Sequence, residues 1–157
     1  MISFGLVISI LVVFLALLTI YLGVKIVPQS KVFVIERFGR YNRTLNAGLS
    51  LIIPYLDSVA HRIDILERQL ESQRISVITR DNVEVELETS VFYRVIDASR
   101  SVYRISNIDQ ALTTETAAVV RSAAGKLELD ELQSSRDKMN AEIASTLSPS
   151  ADEWGIN

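Results

Sequence analysis

No charged side chain occurs before Lys25, and the stretch that precedes it, MISFGLVISILVVFLALLTIYLGV, narrows what the chain can become. As a helix, Ile2 to Val24 would reach about 35 Å at about 1.5 Å per residue, enough to cross the hydrocarbon of a bilayer. A core helix of a soluble protein would carry a polar stripe at the 3.6-residue period, and Ser3, Ser9 and Thr19 are too few and too mild to make one. A cleaved export signal would need a basic start, an apolar stretch of about 7 to 15 residues and small residues at the cut. None of the three is present. Residues 1–24 are therefore read as a retained transmembrane anchor, the alternative being an uncleaved or atypical signal.

The remaining residues, 25–157, are enough for one domain with a core of its own, and they hold all 16 basic and 19 acidic side chains. A net charge of −3 gives neither a nucleic-acid stripe nor an acidic tail, so no nucleic-acid partner is expected. The cations are uneven, however: Lys25, Lys31, Arg37, Arg40 and Arg43 follow the anchor with Glu36 the only acid among them. By the positive-inside rule this places the domain on the cytoplasmic side of a plasma or inner membrane, in a single-pass topology. Cysteine is absent, which removes disulfides and thiolate metal sites.

Lys31 to Phe38 (KVFVIERF) reads as a strand ended by Gly39. The apolar run Gly48 to Leu56 is too short to span and is interrupted by Pro54. One reading makes it a buried strand with an edge proline. The other makes it a segment dipping into the headgroup boundary, with Leu49, Leu51, Ile52, Ile53, Tyr55 and Leu56 touching the membrane and Arg40 and Arg43 meeting anionic lipid heads. Arg80-Asp81-Asn82 is a turn signal, and beyond it Val83 to Val95 alternates, with Glu84, Glu86, Glu88, Ser90 and Arg94 on the polar face. This predicts a half-buried strand paired with Arg74 to Thr79. Phe92 and Ile96 interrupt the polar face, so its far end is expected to be covered.

After Asp97 the period changes. Asp97 is placed to cap a short helix, Asn107 or Asp109 a longer one running to about Ala124, and Gly125 to stop it. A last helix begins near Ser135 with Met139, Ile143 and Leu147 as its buried stripe, and Pro149 predicts a kink or break within it. The expected fold is α+β, an antiparallel sheet with helices packed on one face, divided into a β-rich part at 25–96 and a helical part at 97–157.

Chemistry needs a constellation, and the sequence offers none. His61 is the only histidine and has no cysteine to join it at a metal. No serine sits in a Gly-x-Ser-x-Gly elbow, and no glycine-rich phosphate loop exists. Glu84, Glu86 and Glu88 share a face but read as solvated. No catalytic residue, cofactor or metal is assigned.

In this order, Val27-Pro28-Gln29, VIERFGRY at 34–41, TLNAGLSLIIP at 44–54, VITRDNV at 77–83, VFYRVID at 91–97, AGKLELDEL at 124–132 and Trp154-Gly155-Ile156 resemble the stomatin/prohibitin/flotillin (SPFH, Band 7) superfamily, in its bacterial stomatin-like branch. The resemblance covers residues 24–157. It implies a non-enzymatic membrane scaffold that forms lateral homo-oligomers, organises membrane microdomains and serves protein quality control beside a membrane protease. An anchored adaptor or protease cofactor acting on a single partner is the alternative. Such proteins continue past the Trp-Gly-Ile motif into a last strand and a long coiled coil, so the chain ending at Asn157 is expected to assemble weakly by itself.

Overall fold

The computed structural model describes residues 4–157, so the part of the expected anchor at residues 1–3 lies outside it. Two compact units divide the chain, Met1–Asp64 and Ile65–Asn157.

The first unit starts with helix α1 (Phe4–Gly23), continues into β1 (Val24–Val27), and then builds β2 (Lys31–Arg37), β3 (Arg40–Leu45), β4 (Gly48–Leu51) and β5 (Asp57–Asp64). Within α1 the hydroxyls of Ser9 and Thr19 donate back to the carbonyls of Gly5 and Leu15, at 2.9 and 2.8 Å, which satisfies these two polar groups along the helix's own backbone. The β-branched run of β2 makes it the central strand of a three-stranded antiparallel sheet in the order β3-β2-β5, while β1 and β4 form a separate antiparallel pair. The core of this unit is Val27, Phe33, Ile35, Leu45 and Ile52, with Val59 packed against it.

The second unit contains β6 (Arg68–Gln69), β7 (Gln73–Ile78), β8 (Glu84–Thr89), β9 (Phe92–Tyr93), α2 (Ala98–Tyr103), α3 (Ile108–Gly125), α4 (Leu129–Ser134) and α5 (Arg136–Trp154). Strand β7 pairs with β8 antiparallel, Ile78 opposite Glu84, across a turn in which Asn82 is left-handed at φ 62°. The inner face of this hairpin, Ile75 and Val77 with Val85 and Leu87, packs on Val120 and Ala124 of α3 and Leu132 of α4. The Asp97 carboxylate accepts from the Ser99 and Arg100 amides, and Asn107 accepts from Gln110, so both predicted caps form and the second falls to Asn107. The α+β expectation holds.

Three local expectations do not. The alternating run from Val83 is interrupted at Ser90 and Val91, so that β8 pairs with β7 and β9 with β6. Phe92 and Ile96 are exposed rather than covered. Helix α5 runs through Pro149 without a break. Bonds on the turns beyond the proline hold them in line, Ser150 to Glu115 at 2.6 Å and Arg100 to the Asp152 carbonyl at 3.1 Å, which offsets the donor that proline removes.

Candidate membrane-facing site

The site begins where α1 ends. The Gly23 carbonyl accepts from the Ile52 amide at 2.8 Å, and Val24 pairs with Leu51, so the helix is joined to the start of the 52–56 turn. Gly23 allows that approach because it lacks a Cβ, which would lie 2.7 Å from the Ile52 carbonyl oxygen.

Beyond Ile52 the chain turns tightly, the Leu56 and Asp57 amides both donating to the Ile53 carbonyl at 3.2 and 2.8 Å. Asp57 then fastens the turn to the sheet. Its carboxylate takes two bonds from Arg37, Nε to Oδ1 at 2.7 Å and Nη2 to Oδ2 at 3.2 Å, and a third from the Ile53 amide at 3.1 Å. The bonds from Arg37, then that from Ile53, hold the Asp57 carboxyl below its ordinary pKa of 3.8, against the opposing effect of burial. A group whose folded pKa is depressed stabilises the fold fully above its unfolded pKa and loses that contribution as pH falls through the folded value. The urea midpoint of the wild-type chain should therefore drop on going from pH 6 to below pH 3.8 by more than that of Asp57→Asn. Equal drops in both proteins would show that the pairing contributes nothing.

The predicted contact residues divide. Leu49 is 72% exposed, Tyr55 is 73% exposed, and Leu51, Ile53 and Leu56 are also on the surface. Ile52 departs from this set. It is only 6% exposed and belongs to the core cluster, because alternation along an extended segment turns it opposite to Leu51 and Ile53. Arg40 and Arg43 are both exposed. One Arg43 guanidinium N–H is given to the Leu51 carbonyl, which leaves the other donors of that group to meet anions. Sequence reasoning missed the Arg37–Asp57 pair, whose members are 20 residues apart and carry no local pattern.

Elsewhere the chemistry is sparse. Among the described residues no group of three or more His, Cys, Asp or Glu side chains could hold a metal ion. A cleft of about 480 Å³ in the second unit runs between β8 and α5, lined among others by Glu86, Thr116, Arg136 and Ile143. The buried Thr116 hydroxyl there has no hydrogen-bond partner among the described residues. Tyr93 donates to Asp109, and burial first and that carboxylate second push its phenol up to about 12, which keeps it protonated.

Helix Gly5–Gly23 is long and apolar enough to cross a membrane, and of its residues only the last, Gly23, is buried within the chain. The family model described as SPFH domain / Band 7 family matches residues 25–157. An uncharacterized protein of Mycobacterium tuberculosis is 34% identical over 152 residues, covering 97% of this chain and 40% of that protein. An uncharacterized protein of Methanothermobacter thermautotrophicus is 31% identical over 149 residues, covering 95% of this chain and 46% of its own length. Stomatin-like protein 2, mitochondrial, of Homo sapiens is 33% identical over 133 residues, covering 85% of this chain and 37% of that protein. The chain thus spans less than half the length of these relatives. Neither the family nor these relatives indicate a catalytic activity, and together with the apolar helix they point to a membrane protein.

Proposed function

The chain belongs to the SPFH domain / Band 7 family, and from that premise we propose that it is a non-enzymatic membrane scaffold, anchored by α1 and resting on lipid through the exposed side chains around the 52–56 turn. The observation that carries this reading is the join between Gly23 and Ile52, which fixes Ile53, Tyr55 and Leu56 beside the end of an unburied apolar helix. Fully burying an apolar side chain of this size is worth about 1.5–3 kcal/mol, so a few such contacts hold the turn to a bilayer once the anchor has brought it there. The basic residues that follow the anchor support a cytoplasmic side for this unit, by the positive-inside rule.

Confinement supplies the rest of the function. Copies restricted to one membrane meet at a high effective concentration, so weak lateral contacts suffice to gather them with lipids and membrane proteins into a microdomain. A membrane protease of a quality-control system is the partner class that fits such a role. Two measurements on full chain reconstituted in vesicles test this. We expect the chain to stay with the vesicles through a high-salt wash, and cross-linking to trap homo-oligomers in the bilayer. Recovery in the aqueous wash would remove the anchor. Retention with only monomers at high surface density would overturn the scaffold and leave an adaptor for a single partner.

A further inference from the structure

The turn between β2 and β3 is two residues long, Phe38-Gly39, and both are left-handed, at φ 50° and 73°. Glycine takes that conformation freely. Phenylalanine does not, and the first position of such a hairpin turn ordinarily holds Asn, Asp or Gly. Among the described residues no core cluster includes Phe38, whose side chain is 80% exposed, so packing does not offset the cost. A large ring held in an unfavourable backbone conformation and aimed at solvent calls for a partner outside the chain.

The register says where that ring lies. Arg37, the last residue of β2, is opposite Arg40 on one side and Asp57 on the other, so the Phe38-Gly39 turn and the 53–56 turn emerge at the same end of the sheet. The Arg37–Asp57 pair and the Ile53 bond to Asp57 tie the two turns together, and Ile52 is tied in turn to the end of α1 at Gly23. Arg40 stands exposed immediately after the turn, where a cation would meet an anionic headgroup.

We propose that the Phe38-Gly39 hairpin tip is a second lipid-inserting point, entering the boundary between headgroups and acyl chains beside Tyr55 and Leu56. This rests on the membrane-anchored reading above, extending it from one loop to a two-pronged contact. Two prongs would fix the tilt of the sheet on the membrane, which a single loop leaves free to rotate.

The test uses full chain with Trp154→Phe, which removes the only tryptophan, in vesicles of phosphatidylcholine and phosphatidylglycerol. Phe38→Trp and Tyr55→Trp are made separately in that background, and fluorescence is compared between ordinary lipids and lipids brominated near the top of the acyl chain. The expected result is quenching at both positions. Quenching at Tyr55→Trp without quenching at Phe38→Trp overturns this inference and spares the anchored reading, whereas quenching at neither overturns both. Phe38→Gly gives an independent check, since relief of the left-handed cost should hold or raise the thermal midpoint. A lower midpoint would mean that the ring serves the fold, and would also overturn the proposal.

Discussion

Ile52→Ser is expected to destabilise the Met1–Asp64 unit severely, while Ile53→Ser one residue later is expected to leave it intact. Ile52 is packed among Val27, Phe33, Ile35 and Leu45, so removing its side chain leaves a cavity that costs about 2–5 kcal/mol. A serine hydroxyl facing that cluster with no partner adds about 1–3 kcal/mol. Their sum, about 3–8 kcal/mol, reaches the lower part of the net stability of an ordinary domain, about 5–15 kcal/mol. Ile53 is exposed, and its structural role is carried by main-chain groups, its amide bonding Asp57 and its carbonyl accepting from Leu56 and Asp57. Substitution there should change stability by no more than about 0.5 kcal/mol. Denaturant midpoints of the two variants in mild detergent check this. Similar midpoints would mean that Ile52 is not the inward residue of the pair.

A second large effect is expected at Gly155. This residue closes α5 at φ 71°, and its carbonyl accepts from the Ile96 and Asp97 amides at 2.8 and 2.9 Å. A Cβ at that position would lie 2.6 Å from the Asp97 carbonyl oxygen and 2.9 Å from the Cβ atoms of Asp97 and Arg100. Gly155→Ala therefore suffers twice. The left-handed backbone alone costs an L-residue about 1–2 kcal/mol, and pushing α2 aside adds an overpacking cost of about 1–3 kcal/mol. The loss should also release Ile156, which is fully buried and bridges to Val95. Gly125→Ala is the matched control. Gly125 lies within α3, and an added Cβ would meet only the Ile78 carbonyl oxygen, at 3.6 Å. There the substitution should stabilise by about 0.4–1 kcal/mol. Opposite signs from one substitution in one unit would be read as melting shifts in opposite directions, and a shared sign would refute the account of Gly155.

Both predictions depend on positions whose importance differs sharply from that of their sequence neighbours. Ile52 and Ile53 are the same residue type in the same apolar run, and hydropathy treats them alike. The membrane-contact reading accordingly named both, and only the packing of Ile52 against Phe33 and Leu45 separates them. Gly155 could be noticed as part of Trp154-Gly155-Ile156, but its need to be glycine comes from Asp97, 58 positions earlier in the chain. From sequence Phe38 reads as the end of a strand and Gly39 as its stop, whereas the strain at Phe38 lies in its backbone angles. Pro149 misled in the other direction. A local rule predicted a break, and bonds to Glu115 and Arg100 kept the helix continuous.

Sequence by itself determined whatever depends on composition and short period. The uncharged stretch before Lys25 dictated an apolar helix, since no water-soluble face can be made from it. Alternation around β7 and β8 dictated a hairpin, and Asp97 and Asn107 dictated two helix starts, because each effect acts within a few residues. Only the tertiary structure decided which apolar residues face inward, that Arg37 reaches Asp57, and that two turns meet at one end of a sheet. Those outcomes depend on which distant strands pair and in what register, and a shift of one residue would exchange every inward side chain for its outward neighbour.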